Sequence, residues 1–172
     1  VYVPVEPADP FTEAIRSALE TGAETLFVDP DLSERPHLPD AYPDPYSIQH
    51  VGLDKYIEAY RVHPQPRSEA TAAHASGIAW KLQGTGPEDR VLVVVSLNLL
   101  DAVLDAMEEP QPPPRRRLLP REVEMLNPQP DCLAEILIEY PFLQHRYEQF
   151  RGAMAEQALI DRRRAQLELY RE

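Results

Sequence analysis

Two proline clusters set the limits of what this chain can fold into. Pro30, Pro36, Pro39, Pro43 and Pro45 fall within residues 29–45, and Pro110, Pro112, Pro113, Pro114 and Pro120 within residues 110–120. Proline has no N–H to donate and drives the residue before it out of the helical region. Neither stretch therefore sustains a helix or a central strand. The first reads as an extended loop. The second, with three prolines in a row, reads as a stiff linker in the polyproline conformation. The chain divides accordingly into an α/β domain over residues 1–109, a Pro-rich linker over residues 110–120 and a helical segment over residues 121–172.

Between the breaks the apolar spacing is regular. Val1–Val5 is strand-like. Asp9 can cap a helix with Pro10 in its first turn, Gly22 suits its exit, and Phe11, Ala14, Ile15, Ala18 and Leu19 share one face. Thr25–Val28 reads as a second strand. A helical stretch follows over 45–61, weakened at Gly52, with Leu53, Tyr56, Ile57 and Tyr60 pointing inward. Ser68 can cap the next helix, whose Ala70, Ala73 and Gly77 stripe is small enough for close packing on a sheet. Val91–Val95 is apolar without alternation, as a strand covered on both faces should be. Asn98 can cap a short helix with Leu99, Leu100, Val103, Leu104 and Met107 on one face. This order, β-α-β-α-α-β-α, predicts a small parallel sheet of three strands flanked by helices in a Rossmann-like layering. Farther on, Asp131 and Pro141 each open a helix, the second carrying Leu143, Tyr147, Phe150 and Met154. Strand-like sequence at Val1 and helix-like sequence at Tyr170 give the expectation of a piece of a longer protein.

Charge narrows the partners. Seventeen basic against 29 acidic residues leave a net charge of −12. That disfavours both nucleic acid and anionic membranes as partners, because each is bound by neutralising negative charge. The basic runs Arg115–Arg117 with Arg121, and Arg162–Arg164, are short and read as solvated surface. No apolar stretch approaches the ~18 residues that a bilayer span needs. The hydrophobic content of 43% is too high for a disordered acidic chain. Cys132 is the single cysteine, so no intramolecular disulfide is possible and a cytoplasmic setting fits. It follows Asp131 at a helix start and reads as a small helix residue. The expected partners are the remainder of the polypeptide and a second copy of the chain.

In a parallel sheet, ligands sit beyond the carboxyl ends of the strands. Glu6 and Asp9, Asp29 and Asp31, and Ser96 and Asn98 fall there. Glu6, Asp29 and Asp31 are oxygen donors suited to a divalent metal, the one cofactor the sequence leaves open. The simpler account is that Asp9 and Asn98 are caps and Asp29-Pro30-Asp31 is turn chemistry. A second group lies around the helix after Ser68. Arg67 stands at its start, against the dipole, which suits the holding of a carboxylate or phosphate. Glu69 and His74 follow on the same helix, and His63 precedes it. The signatures of dinucleotide sites, phosphate loops, zinc proteases and serine esterases are all absent from the sequence.

The order of elements resembles the TraB family, which belongs with the erythromycin-esterase-like and haem-uptake ChaN-like proteins. The run from Glu6 through Asp31 is similar to that family's acidic residue, helix, Gly-Ala and strand segment. PRSEATAAHASGIAWKL, around Arg67, is similar to its "Arg, acidic, Met-Ala" helix, and RVLVVVSLNLLDAVL to its last strand. The resemblance spans residues 1–107 and implies an α/β hydrolase-like scaffold, sometimes metal-dependent. Where the family strand ends in Gly-Ala-x-His-Leu, this chain reads Ser96-Leu97-Asn98-Leu99-Leu100. The functional expectation is thus a non-catalytic ligand- or partner-binding module on an esterase-like scaffold. One alternative is a hydrolase completed by residues outside this chain, with Glu6, Asp29, Arg67 and His74 lining its site. Another is an assembly module that dimerises through residues 121–172.

Overall fold

Asp9 and Pro10 start a helix as their chemistry suggests. In the computed structural model α1 spans Pro10–Thr21, and the Asp9 carboxylate accepts from the N–H groups of Phe11 and Thr12, both at 2.9 Å. Gly22 ends the helix with φ of 71°, a left-handed conformation that glycine adopts without steric cost. The structure describes residues 5–32, 36, 42–63, 67–115, 125–137, 139–153 and 162–171. The expectations placed on Val1–Pro4, Arg116, Arg117, Arg121 and Met154 lie outside these residues, as do most of those on the loop over residues 29–45.

The remaining helices follow the proline map. A single 3-10 turn, Pro45–Ser47, leads into α2 (Ile48–Val51) and α3 (Leu53–Arg61), which are separated where Gly52 takes φ of 82°. Next is α4 (Glu69–Gln83), capped by the Ser68 hydroxyl, which accepts from the Thr71 N–H at 3.1 Å. Then comes α5 (Leu97–Met107). A turn at Pro130–Cys132 precedes α6 (Leu133–Ile136), α7 (Pro141–Ala153) and α8 (Arg162–Leu169). Asn98 is not the cap expected of it. Ser96 occupies that position, and Asn98 is buried inside the first turn of α5.

The predicted sheet is overturned. Among the described residues every regular element is helical, and neither Thr25–Val28 nor Val91–Val95 forms a strand. The α/β class and the Rossmann-like layering fall with it. The reason lies in what binds residues 27–30. The Lys81 ammonium donates to the carbonyls of Phe27 at 2.7 Å and Asp29 at 3.1 Å. Pro30 has no N–H to offer a ladder. The segment is thus tied to the side of α4 and does not pair with a neighbouring strand. A short apolar run carries the same pattern whether it is a strand or an irregular segment, so periodicity cannot separate the two.

The chain forms two compact units, Val1–Leu26 with Arg121–Glu172, and Phe27–Pro120. In the second, α4 and α5 pack through Ala75, Ile78, Leu99 and Val103, with Val28, Leu82, Val95, Ala102 and Ala106 around them. Fully burying Ile78 or Leu99 is worth about 1.5–3 kcal/mol each. The other unit is held differently. Leu143 is its one buried apolar side chain among the described residues, and polar arms do most of the joining. Arg151 of α7 reaches both Glu13 (2.8 Å) and Glu20 (2.8 Å) of α1. Arg16 forks onto Glu148, and Arg146 of α7 meets Glu168 of α8 at 2.7 Å.

Candidate functional site

Three residues at helical spacing on α4 make its most specialised face. His74, Gly77 and Lys81 stand three and four positions apart and therefore share a side of the helix. All three engage residues 27–30. His74 Nε2 lies 2.7 Å from Asp29 Oδ1, and Lys81 holds the two carbonyls. Gly77 lets Pro30 approach so closely that a Cβ built on it would stand 2.6 Å from Pro30 Cβ. The same absent Cβ would lie 3.5 Å from Pro114. A proline from each cluster thus rests on one glycine. Gln111, in the second cluster, bonds Ser76 at 2.8 Å and Gln83 at 2.9 Å.

The His74 and Asp29 pair has the composition of a general base and its orienting acid. Its geometry is that of a tie. His74 is only 6% exposed, its Nε2 is taken by Asp29, and its Nδ1 is buried with no hydrogen-bond partner. In this geometry the ring ties α4 to the segment at Asp29, with one nitrogen on the carboxylate and the other buried.

The second cluster joins α3 to α5. Asn98, Asp101 and Asp105 recur at three and four positions on α5. Tyr60 donates to Asn98 Oδ1 at 2.6 Å, and Asn98 Nδ2 donates to the Tyr42 hydroxyl at 2.6 Å. The Tyr42 and Ser96 hydroxyls are 3.2 Å apart, and the Tyr42 and Tyr60 rings stack with centroids 6.1 Å apart. Burial pushes the Tyr60 phenol above its ordinary pKa, which keeps it protonated and able to donate. Arg61 pairs with Asp101 through Nε at 3.0 Å, and Arg67 pairs with Asp105.

The expected site residues therefore separate into several settings. Asp29 and His74 are brought together. Arg67 meets Asp105, and Glu69 is exposed at the start of α4. Asn98 belongs to the tyrosine cluster. Asp31 is exposed just past Pro30. Glu6 belongs to the other unit, where its buried carboxylate accepts from Gln144 Nε2 and from the Glu139 N–H at 3.2 Å. The Gln144 side-chain oxygen in turn accepts from the Ala8 N–H at 2.9 Å. No three His, Cys, Asp or Glu side chains among the described residues gather where they could hold a metal ion.

Sequence reasoning placed Gly77 in a small stripe for packing on a sheet, where its neighbours are Pro30 and Pro114, and passed over Lys81, Tyr42, Gln144 and Arg151. For Gly77 a signal existed, since a glycine at the centre of a well-formed helix marks a close approach. The others carry no signal, because their partners lie tens of residues away.

An exposed apolar surface lies on α1. Glu13, Arg16 and Glu20, the side that engages α7, lie nearly opposite Phe11, Ile15 and Leu19. That apolar side is exposed, to 51% at Phe11 and 75% at Leu19, and no residue of α1 is buried. The sequence expectation of an inward apolar face is thus reversed. No helix among the described residues is long and apolar enough to cross a membrane. No protein-family profile, curated protein or solved structure matches the chain.

Proposed function

We propose that the chain is a partner-binding module and that the apolar face of α1 is its docking element. One observation carries the reading. The charged side of α1 is locked to α7 by Arg151 and Glu148, so Phe11, Ile15 and Leu19 cannot turn inward without breaking those pairs. An amphipathic helix with so strong an apolar stripe is covered when it functions. Its 12 residues extend for about 18 Å, which suits the apolar side of a partner helix of three turns. A cytoplasmic setting is part of the same proposal and is supported by the single cysteine.

The test compares Leu19→Glu with the unaltered chain. Stability is expected to change by no more than about 0.5 kcal/mol, as for other exposed positions. A photo-reactive residue at position 15 is expected to crosslink one discrete protein in the cell, and Leu19→Glu is expected to abolish that crosslink. A loss of about 2–5 kcal/mol, as for a core residue, would show that the chain covers this face itself, and the reading would fall.

A further inference from the structure

Gln111, Pro112 and Pro113 each precede a proline, which drives them into an extended conformation, and each proline ring fixes its own φ at about −65°. The run is thereby directed into the polyproline helix, with about three residues per turn. Exposure follows that period. Gln111 and Pro114, one turn apart, are half-buried, whereas Pro110, Pro112, Pro113 and Arg115 are exposed. The half-buried edge is fastened to α4 and α5. Gln111 accepts from the Ser76 hydroxyl at 2.8 Å, donates its N–H to Gln83 at 2.9 Å and donates through Nε2 to the Ala106 carbonyl at 2.7 Å. Pro114 rests on Gly77, where an added Cβ would stand 3.5 Å from it. A polyproline helix is a three-edged rod. With the edge of Gln111 and Pro114 on the helices, the other two face solvent: Pro110 with Pro113, and Pro112 with Arg115.

We propose that Pro110–Arg115 is a preformed ligand for an SH3-type groove, a row of aromatic rings with carboxylates at one end. Proline rings dock in aromatic-lined grooves, and a rod already held extended loses little conformational freedom on docking. A shallow groove meets two edges of a three-edged rod and leaves the third uncovered. Here the third edge is the one fastened to α4 and α5, so docking needs no rearrangement of the unit. Charge sets the direction. Glu108 and Glu109 precede the prolines, and Arg115 follows them with two further arginines after it in the sequence. A row of prolines reads much alike in either sense, and the acid-to-base order gives it one, with Arg115 against the carboxylates of the groove. The segment belongs to the 27–120 unit alone and does not depend on the docking face of α1.

The test titrates the full chain into a purified, isotopically labelled SH3 domain that carries acidic side chains beside its aromatic groove, with the NMR shifts of the groove residues as readout. Saturable one-to-one binding is expected. Pro113→Ala and Arg115→Glu alter exposed side chains, so helical circular dichroism should stay as it is, and each should weaken binding about tenfold or more. Arg90→Glu alters another exposed arginine of the same unit and should leave the affinity within about twofold, which excludes general attraction to an acidic probe. Leu19→Glu should leave it unchanged. The absence of saturable binding overturns the inference, as does binding that either Pro113→Ala or Arg115→Glu leaves intact, or that Arg90→Glu weakens as much as Arg115→Glu.

Discussion

Gly77 is the residue on which both proline clusters converge. Replacing a mid-helix glycine with alanine ordinarily stabilises a protein by about 0.5–1 kcal/mol. At Gly77 the added methyl would meet Pro30 at 2.6 and 2.8 Å, and a buried ring has nowhere to yield. Gly77→Ala is therefore expected to destabilise by about 1–3 kcal/mol, measured by chemical denaturation. Gly152→Ala in α7, where a Cβ would meet nothing within 4 Å, is the control and should stabilise. Asn98 is a second residue with an outsized role. Asn98→Ala leaves the Tyr60 hydroxyl without its acceptor and is expected to cost about 1–3 kcal/mol. A loss below about 0.5 kcal/mol would mean that the tyrosine cluster contributes no cohesion. Glycine at position 77 was visible in the sequence as a small residue suited to close packing. That its neighbours would be Pro30 and Pro114 was not, since prolines read as breaks reveal nothing about what they touch.

Among the elements, α1 behaves most unlike its sequence. Its start, end and stripe were all legible, because caps and periodicity are local. Its orientation was not, because which side a helix buries depends on what stands beside it. Arg151 lowers the pKa of Glu13 and Glu20 chiefly through its hydrogen bonds to them, and Arg16 does the same for Glu148. A carboxylate whose pKa is depressed by folding stabilises the native state above its unfolded pKa, and that contribution is lost as pH falls through the folded value. The attachment of α1 should thus hold at neutral pH and loosen as pH falls below about 4.5. Hydrogen exchange of α1 amides across that range should show the loosening, and Glu13→Gln should reduce its dependence on pH. An α1 that loosens instead on raising the pH toward 8 would contradict the sign. Since these groups are solvent-accessible, high salt should also weaken the attachment at neutral pH.

For the whole molecule, the two units differ in kind. Residues 27–120 are contiguous in sequence and hold the apolar cluster between α4 and α5. They are expected to fold alone, with helical circular dichroism and a cooperative thermal transition. A fragment without such a transition would show that the cluster needs the rest of the chain. The other unit joins residues 1–26 to 121–172, and its ties run between groups more than 130 positions apart, as from Arg16 to Glu148. No local pattern reports such a pairing. What the sequence by itself determined was the punctuation: where prolines forbid regular structure, where Asp9, Ser68 and Pro141 start helices, and where Gly22 and Gly52 end or break them. These depend on the dihedral angles and donors of single residues. Only the tertiary structure decided that the apolar runs at residues 25–28 and 91–95 form no sheet, that α1 faces outward, and that His74 binds Asp29. Strand pairing and burial require a partner across space, and the identity of that partner is not written in the residues that receive it.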